Sequence, residues 1–299
     1  MIEFKTQLAG FYKLAKHQVD AAGVEIPGSR EETGWFPNLI TNTGLDLLAS
    51  AGFMSSCFIG TGNSTPAFTN TALDNQAAFA GGSVASGPAG SDYTSGVGTY
   101  TFAQGAAVGN MQEVGVGNTS NALFSRALIL DGAGEPTVLV LTSSDILTVY
   151  YQLREYPSQV DDVSVVADGA TNYTVTTRSR NGLTNSRVAS WNNAGIAGGD
   201  SGCELGNGSL GAWTGSPTGT NFGGPINNRT TPAYIPGTHY RDYTYNFATS
   251  EGNGTVNWAI MSNFGNGPEL QASISPDIVK DNTRTLALTW RFSWGRYAP

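Results

Sequence analysis

The feature that most constrains this chain is an alternation of side chains with period two, written twice. Over residues 147–154, Leu147, Val149, Tyr151 and Leu153 fall on one side, and Thr148, Tyr150, Gln152 and Arg154 on the other. Over residues 286–295, Leu286, Leu288, Trp290, Phe292 and Trp294 alternate with Ala287, Thr289, Arg291, Ser293 and Gly295. Successive side chains of a strand point to opposite faces of a sheet, so each run reads as a strand with one buried face. With Leu147 laid on Leu286 the apolar faces match, while the loops before them differ in length. This approximate internal repeat suggests two modules that end in similar strands.

Composition agrees with β structure. Only 13% of the 299 residues are charged, against roughly 25% in ordinary soluble proteins, and glycine stands at 39. Short strands, tight turns and neutral polar surfaces suit that mix better than helical bundles do. The expected fold is mainly β: two β-sandwich-like modules with long Gly/Asn-rich loops and one short helix near residues 43–51. Thr43 is its expected cap and Gly52 its stop. Residues 1–41 read as an N-terminal arm and hairpin, with a lead over 1–10, a strand over 11–20 and a returning strand over 30–41. Pro37 belongs at an edge or bulge, since it cannot donate to a ladder. The first module spans 42–157, in which the Gly/Ser/Ala-rich residues 80–98 read as a surface loop or insertion. The second spans 158–299 and carries an irregular insertion over 189–237. A loop of that length is uncommon inside a compact domain and points to function or to ordering by a partner.

A formal net charge of -8 and the absence of any Lys/Arg run leave no electrostatic footprint for nucleic acid. No apolar stretch approaches the roughly 18 residues of a membrane span, so no membrane insertion is expected. The opening MIEFKTQLAG lacks the features of a secretory signal, and Cys57 and Cys203 are expected to be reduced and partly buried.

Catalytic signatures are weak. His17 and His239 lie far apart, and Asp145, Asp161 and Asp162 read as turn carboxylates more readily than as calcium ligands. The run Asp200-Ser201-Gly202-Cys203 is a four-letter likeness to a protease turn. Gly60-Thr61-Gly62 and Gly115-Val116-Gly117 lack the G-K-[ST] of a phosphate cradle. Glycan cleavage needs two carboxylates roughly 5–9 Å apart; Glu113, Asp131, Glu155, Asp161 and Asp162 are available, and nothing in their spacing pairs them. The expectation is no catalytic residue, no metal and no cofactor. The aromatics Trp191, Trp213, Phe222 and Tyr234 of the insertion, with Tyr240 and Tyr243 after it, are candidates for a binding or subunit interface.

The runs NLITNTGLDLLA (38–49) and IGTGNSTPAFTNTALDNQ (59–76) open the first module. With EVGVG, LFSRALI, DILTVYYQLREYP and the ending IVKDNTRTLALTWRFSWGR, they resemble tailed-bacteriophage virion structural proteins of the tail-fibre, collar or minor tail protein type. The likeness covers about half of the chain, and its motifs are scaffold motifs. It implies a structural component of the virion, assembled in the host bacterial cytoplasm, with other virion proteins as partners. It also implies a homo-oligomer, with a trimer favoured. Residues 1–41, with Phe11, Tyr12, Trp35 and Phe36, are then the candidate anchor to neighbouring proteins. The alternative is a receptor-binding or tail-tip module that contacts host surface glycan or protein, and a polysaccharide-degrading enzyme stands further off.

Overall fold

A computed structural model describes residues 1–179, 187–196, 202–213, 215–262 and 270–298. The elements in order are β1 (Ile2–Gln18), β2 (Glu31–Glu32), β3 (Phe36–Pro37), β4 (Leu39–Ile40), α1 (Asn42–Leu47), β5 (Ser56–Gly60) and β6 (Gln76–Ser86). There follow β7 (Thr94–Phe102), β8 (Gly109–Met111), β9 (Glu113–Gly117), β10 (Leu123–Leu128), β11 (Leu139–Leu141) and β12 (Asp145–Pro157). Beyond residue 158 come β13 (Asp162–Asp168), β14 (Thr171–Ser179), α2 (Arg187–Ala194), β15 (Gly202–Gly206) and β16 (Arg229–Thr230). The chain ends with β17 (Tyr240–Phe247), β18 (Gly254–Ser262), β19 (Leu270–Lys280) and β20 (Leu286–Arg296). The fold is mainly β.

Strand β1 organises the whole. Ile2, Phe4, Thr6, Leu8, Tyr12 and Leu14 are buried on one face, while Lys5 and Gln7 face outward. One edge of β1 is antiparallel to β12, from Thr6 opposite Pro157 to Gln18 opposite Asp145. The other edge is shared. Ile2 to Leu8 run parallel to Trp290 to Arg296 of β20; further along, Tyr12 meets Phe36 of β3 and Ala15 meets Glu32 of β2. The large sheet runs β16-β17-β20-β1-β12-β7-β6-β5-β9-β10-β4. Since β3 lies one residue before β4 and pairs with β1, the strands from β1 round to β4 curl back on their start. A second sheet, β13-β14-β19-β18-β15, is built only from residues beyond 158.

The two alternating strands bury the faces that their pattern marks. Leu147, Val149, Tyr151 and Leu153 are at most 1% exposed, and Leu288, Trp290, Phe292 and Trp294 at most 9%, while Leu286 at the start of β20 is only half-buried. One contiguous cluster of buried side chains runs from Tyr12 and Tyr151 through Phe4 and Phe292 to Val175 and Ile274 of the second sheet.

Several expectations change. Residues 1–10 are not a lead but the first half of β1. Their alternation is blurred because Thr6 and Gly10 occupy inward positions, and their partner is the far end of the chain. The sheet does not break near residue 158, because β1 is hydrogen-bonded to strands from both sides of it. Residues 80–98 are largely the hairpin of β6 and β7; pairing to β5 over Gln76 to Gly81 and to β7 over Gly82 to Ser86 overrides the poor strand propensity of Ala, Gly and Ser. Helix α1 is shorter than expected and is capped by Thr41, not Thr43: the Thr41 hydroxyl accepts from the Gly44 N–H at 2.8 Å. A second helix, α2, straddles the start of the insertion. Cys57 and Cys203 are fully buried free thiols, and burial pushes Cys203 up to about 12.

Candidate functional site

The loop between β5 and β6 is tied down by a buried ion network. Arg126 on β10 and Glu113 on β9 are both fully buried, and the guanidinium Nε donates to Glu113 Oε2 at 2.9 Å. Glu113 also accepts from the N–H groups of Gly62, Asp74 and Asn75. The other end of Arg126 reaches Asp74 at 2.6 Å, the Ser64 carbonyl at 3.2 Å and Asn70 Oδ1 at 3.1 Å. A hydrogen bond from the Ser64 hydroxyl holds the Asp74 carboxyl below the ordinary carboxylate range, against partial burial and with help from Arg126. Gly62 is required by close approach, because a Cβ there would overlap Glu113 Oε1. The G-T-G run is therefore a site where backbone meets a buried carboxylate, not a phosphate cradle.

A second tie fastens the 231–239 segment to α1. Tyr234 stacks on Trp294, with ring centres 5.8 Å apart, and its hydroxyl donates to Asp46 Oδ1 at 2.6 Å. The Gly237 N–H donates to the same oxygen at 2.7 Å.

The open site lies where β1, β12 and the chain after β20 meet. The even residues of β12 and the odd residues of β1 share the outer face of the sheet, which brings Phe11, Arg154, Tyr156, Lys5 and Gln7 to one side. The Arg154 guanidinium sits 4.1 Å from the Phe11 ring centre and 4.3 Å from that of Tyr93. Tyr93 lies 5.6 Å from Tyr156, and Tyr156 stacks on Tyr297 at 3.9 Å with planes 12° apart. Tyr297 is placed by its N–H, which donates to the Leu8 carbonyl at 2.8 Å. A cleft of about 420 Å³ opens beside this column, lined by Tyr156, Tyr297, Lys5, Gln7, Asp92 and Gln159 among others. That is the size of a small-ligand site. Burial raises the Tyr156 phenol, opposed by Arg154, so it stays a neutral hydroxyl near pH 7.

The residues singled out by sequence scatter. Trp191 and Tyr243 are core: Trp191 meets Phe292 edge-on at 6.0 Å, and the Tyr243 hydroxyl donates to the Ile196 carbonyl. Phe222 packs against the core near Leu205 and Phe247, and Tyr240 lies under the Arg291 guanidinium at 3.6 Å. Trp213 is half-buried elsewhere. The six form no common surface. Of the candidate anchor residues, Tyr12 and Phe36 are buried against each other, Phe11 supports Arg154, and Trp35 alone is open, at 46% exposure. The carboxylates stay apart in their bonding: Glu155 accepts from Thr6, Asp161 pairs with Arg178, Asp162 lies near Lys5, and Asp131 caps its own turn. Asp200 and Ser201 lie outside the described residues. Among the described residues, no group of three His, Cys, Asp or Glu is placed to hold a metal ion.

The seam cleft escaped sequence reasoning because its side chains come from four separate segments, none with a local pattern of its own. Comparison with protein-family models, curated proteins and solved structures finds no match to this chain.

Proposed function

We propose that this chain is a structural subunit of a tailed-phage virion that works through protein–protein assembly. The motif resemblance supplies the class of particle, and one structural observation carries the assembly part. Strand β6 lies within the large sheet, yet none of its eleven residues is buried and none is charged. On it Phe79 is 65% exposed, and Ala77 and Gly81 near it are exposed as well. A sheet strand with no charge and an exposed aromatic is costly to leave in water, and depletion of charge around an aromatic is a feature of surfaces that another chain covers. The homo-oligomer, with a trimer favoured, follows from the fibre likeness.

Light scattering behind a sizing column tests this reading. Self-association of the 31.3 kDa chain, lost in Phe79→Asp at unchanged melting temperature, is the expected result. A chain that stays monomeric at all concentrations, and that does not copurify with phage particles on a density gradient, overturns it.

A further inference from the structure

We infer that the cleft at the seam of β1, β12 and the C-terminal tail binds a neutral saccharide, with Tyr297 as the stacking platform. This goes beyond assembly and stands or falls separately from it.

The cleft's chemistry selects the ligand class. Its aromatic wall is the stacked pair Tyr156 and Tyr297, held in place from behind by Tyr93, Arg154 and Phe11. A preset ring offers large contact area at little conformational cost. Around it stand the amide of Gln7, which can donate and accept, the Gln159 amide, whose nitrogen already donates to the Ser91 carbonyl at 3.2 Å and whose oxygen can accept, and the Ser158 hydroxyl, which donates to the Val160 carbonyl at 3.0 Å and can accept.

Charge is balanced. Lys5 lies 3.8 Å from both Glu3 and Asp162, and Asp92 lines the same cleft. An anion would meet these carboxylates and a cation would meet Lys5. A peptide that adds as a strand would need a free edge, and neither β1 nor β12 has one here. Gln7 is opposite Tyr156 on one side and Gly295 on the other, and Glu155 is opposite Thr94. Nucleic acid, whose bases also stack, is opposed by the net charge of -8. A sugar ring matches what remains: an apolar C–H face for the tyrosine and a rim of hydroxyls for the amides.

The test is an array of neutral oligosaccharides of hexoses and N-acetylhexosamines, probed with the full chain and three variants. Gln7→Ala replaces an exposed side chain and is expected to keep the wild-type melting temperature, while Tyr297→Ala, beyond β20, loses its stack on Tyr156 and is expected to lower it slightly with the fold kept, as circular dichroism checks. Trp213→Ala is a control outside the cleft. The expected result is binding to at least one neutral glycan, weakened about tenfold or more by Tyr297→Ala, weakened also by Gln7→Ala, and unchanged by Trp213→Ala. Absence of any bound neutral glycan overturns the inference. So does binding that Tyr297→Ala leaves intact.

Discussion

Arg126 is a fully buried guanidinium whose nitrogens are matched by Glu113, Asp74, Ser64 and Asn70. Such a pair gains little net stability over an apolar substitute, but removing one partner leaves the other buried and uncompensated. Its contribution is positional: one guanidinium and one carboxylate fix the path of the fifteen-residue loop from Thr61 to Asn75, which has no strand of its own. Arg126→Ala is expected to lower stability by about 3–5 kcal/mol, read by guanidinium chloride denaturation, and to expose the 61–75 amides to hydrogen exchange. A loss below about 1 kcal/mol, the size of a surface pair, would mean that the loop holds without the clamp. In the sequence the clamp residues lie in three separate runs, EVGVG, LFSRALI and IGTGNSTPAFTNTALDNQ, and Glu113 stood out only as one carboxylate among several. What joins them is the pairing of β9 with β10 and the return of the loop over both.

Helix α1 shows what a short element needs in order to exist. Six residues cannot hold a helix in water, because nucleation outweighs so few hydrogen bonds. Here Thr41 caps it and donates in turn to the Leu123 carbonyl at 2.7 Å, Leu45 and Leu48 enter the core, and Asp46 receives Tyr234 and Gly237. Gly44 permits the packing, since a Cβ there would overlap the Phe124 carbonyl oxygen on β10. Gly44→Ala, favourable for an isolated helix, is therefore expected to destabilise the protein by about 1–3 kcal/mol through overpacking. A thermal melt that rises with this substitution would show that the helix can shift away from β10. Leu spacing alone marks this helix, but its cap sits two residues earlier than local pattern suggests. Thr41 and Thr43 are both good caps in isolation, and the contact with β10 chooses between them.

At the scale of the molecule, β1 is shared property. Its first half covers Trp290 and Phe292 of β20, with Phe4 and Phe292 stacked at 5.5 Å, and its second half closes the curled sheet against β3 and β12. A fragment of residues 158–299 would expose one edge of β20 and the apolar face that Ile2 and Phe4 cover. It is expected to lack a cooperative melt by circular dichroism and to gain one when residues 1–157 are supplied in trans. A fragment that melts cooperatively alone would show that the second half folds as a module without β1.

The sequence by itself determined the class of fold and the buried faces of β12 and β20, because a period of two is a local steric property of an extended backbone and needs no partner to be read. Only the tertiary structure decided that the first strand pairs with the last, that Trp191 and Tyr243 are core while Tyr156 and Tyr297 line a cleft, and that neutral residues 76–86 form a strand. Those outcomes depend on which segments meet, and pairing between positions as distant as Ile2 and Trp290 leaves no trace in the local order of side chains.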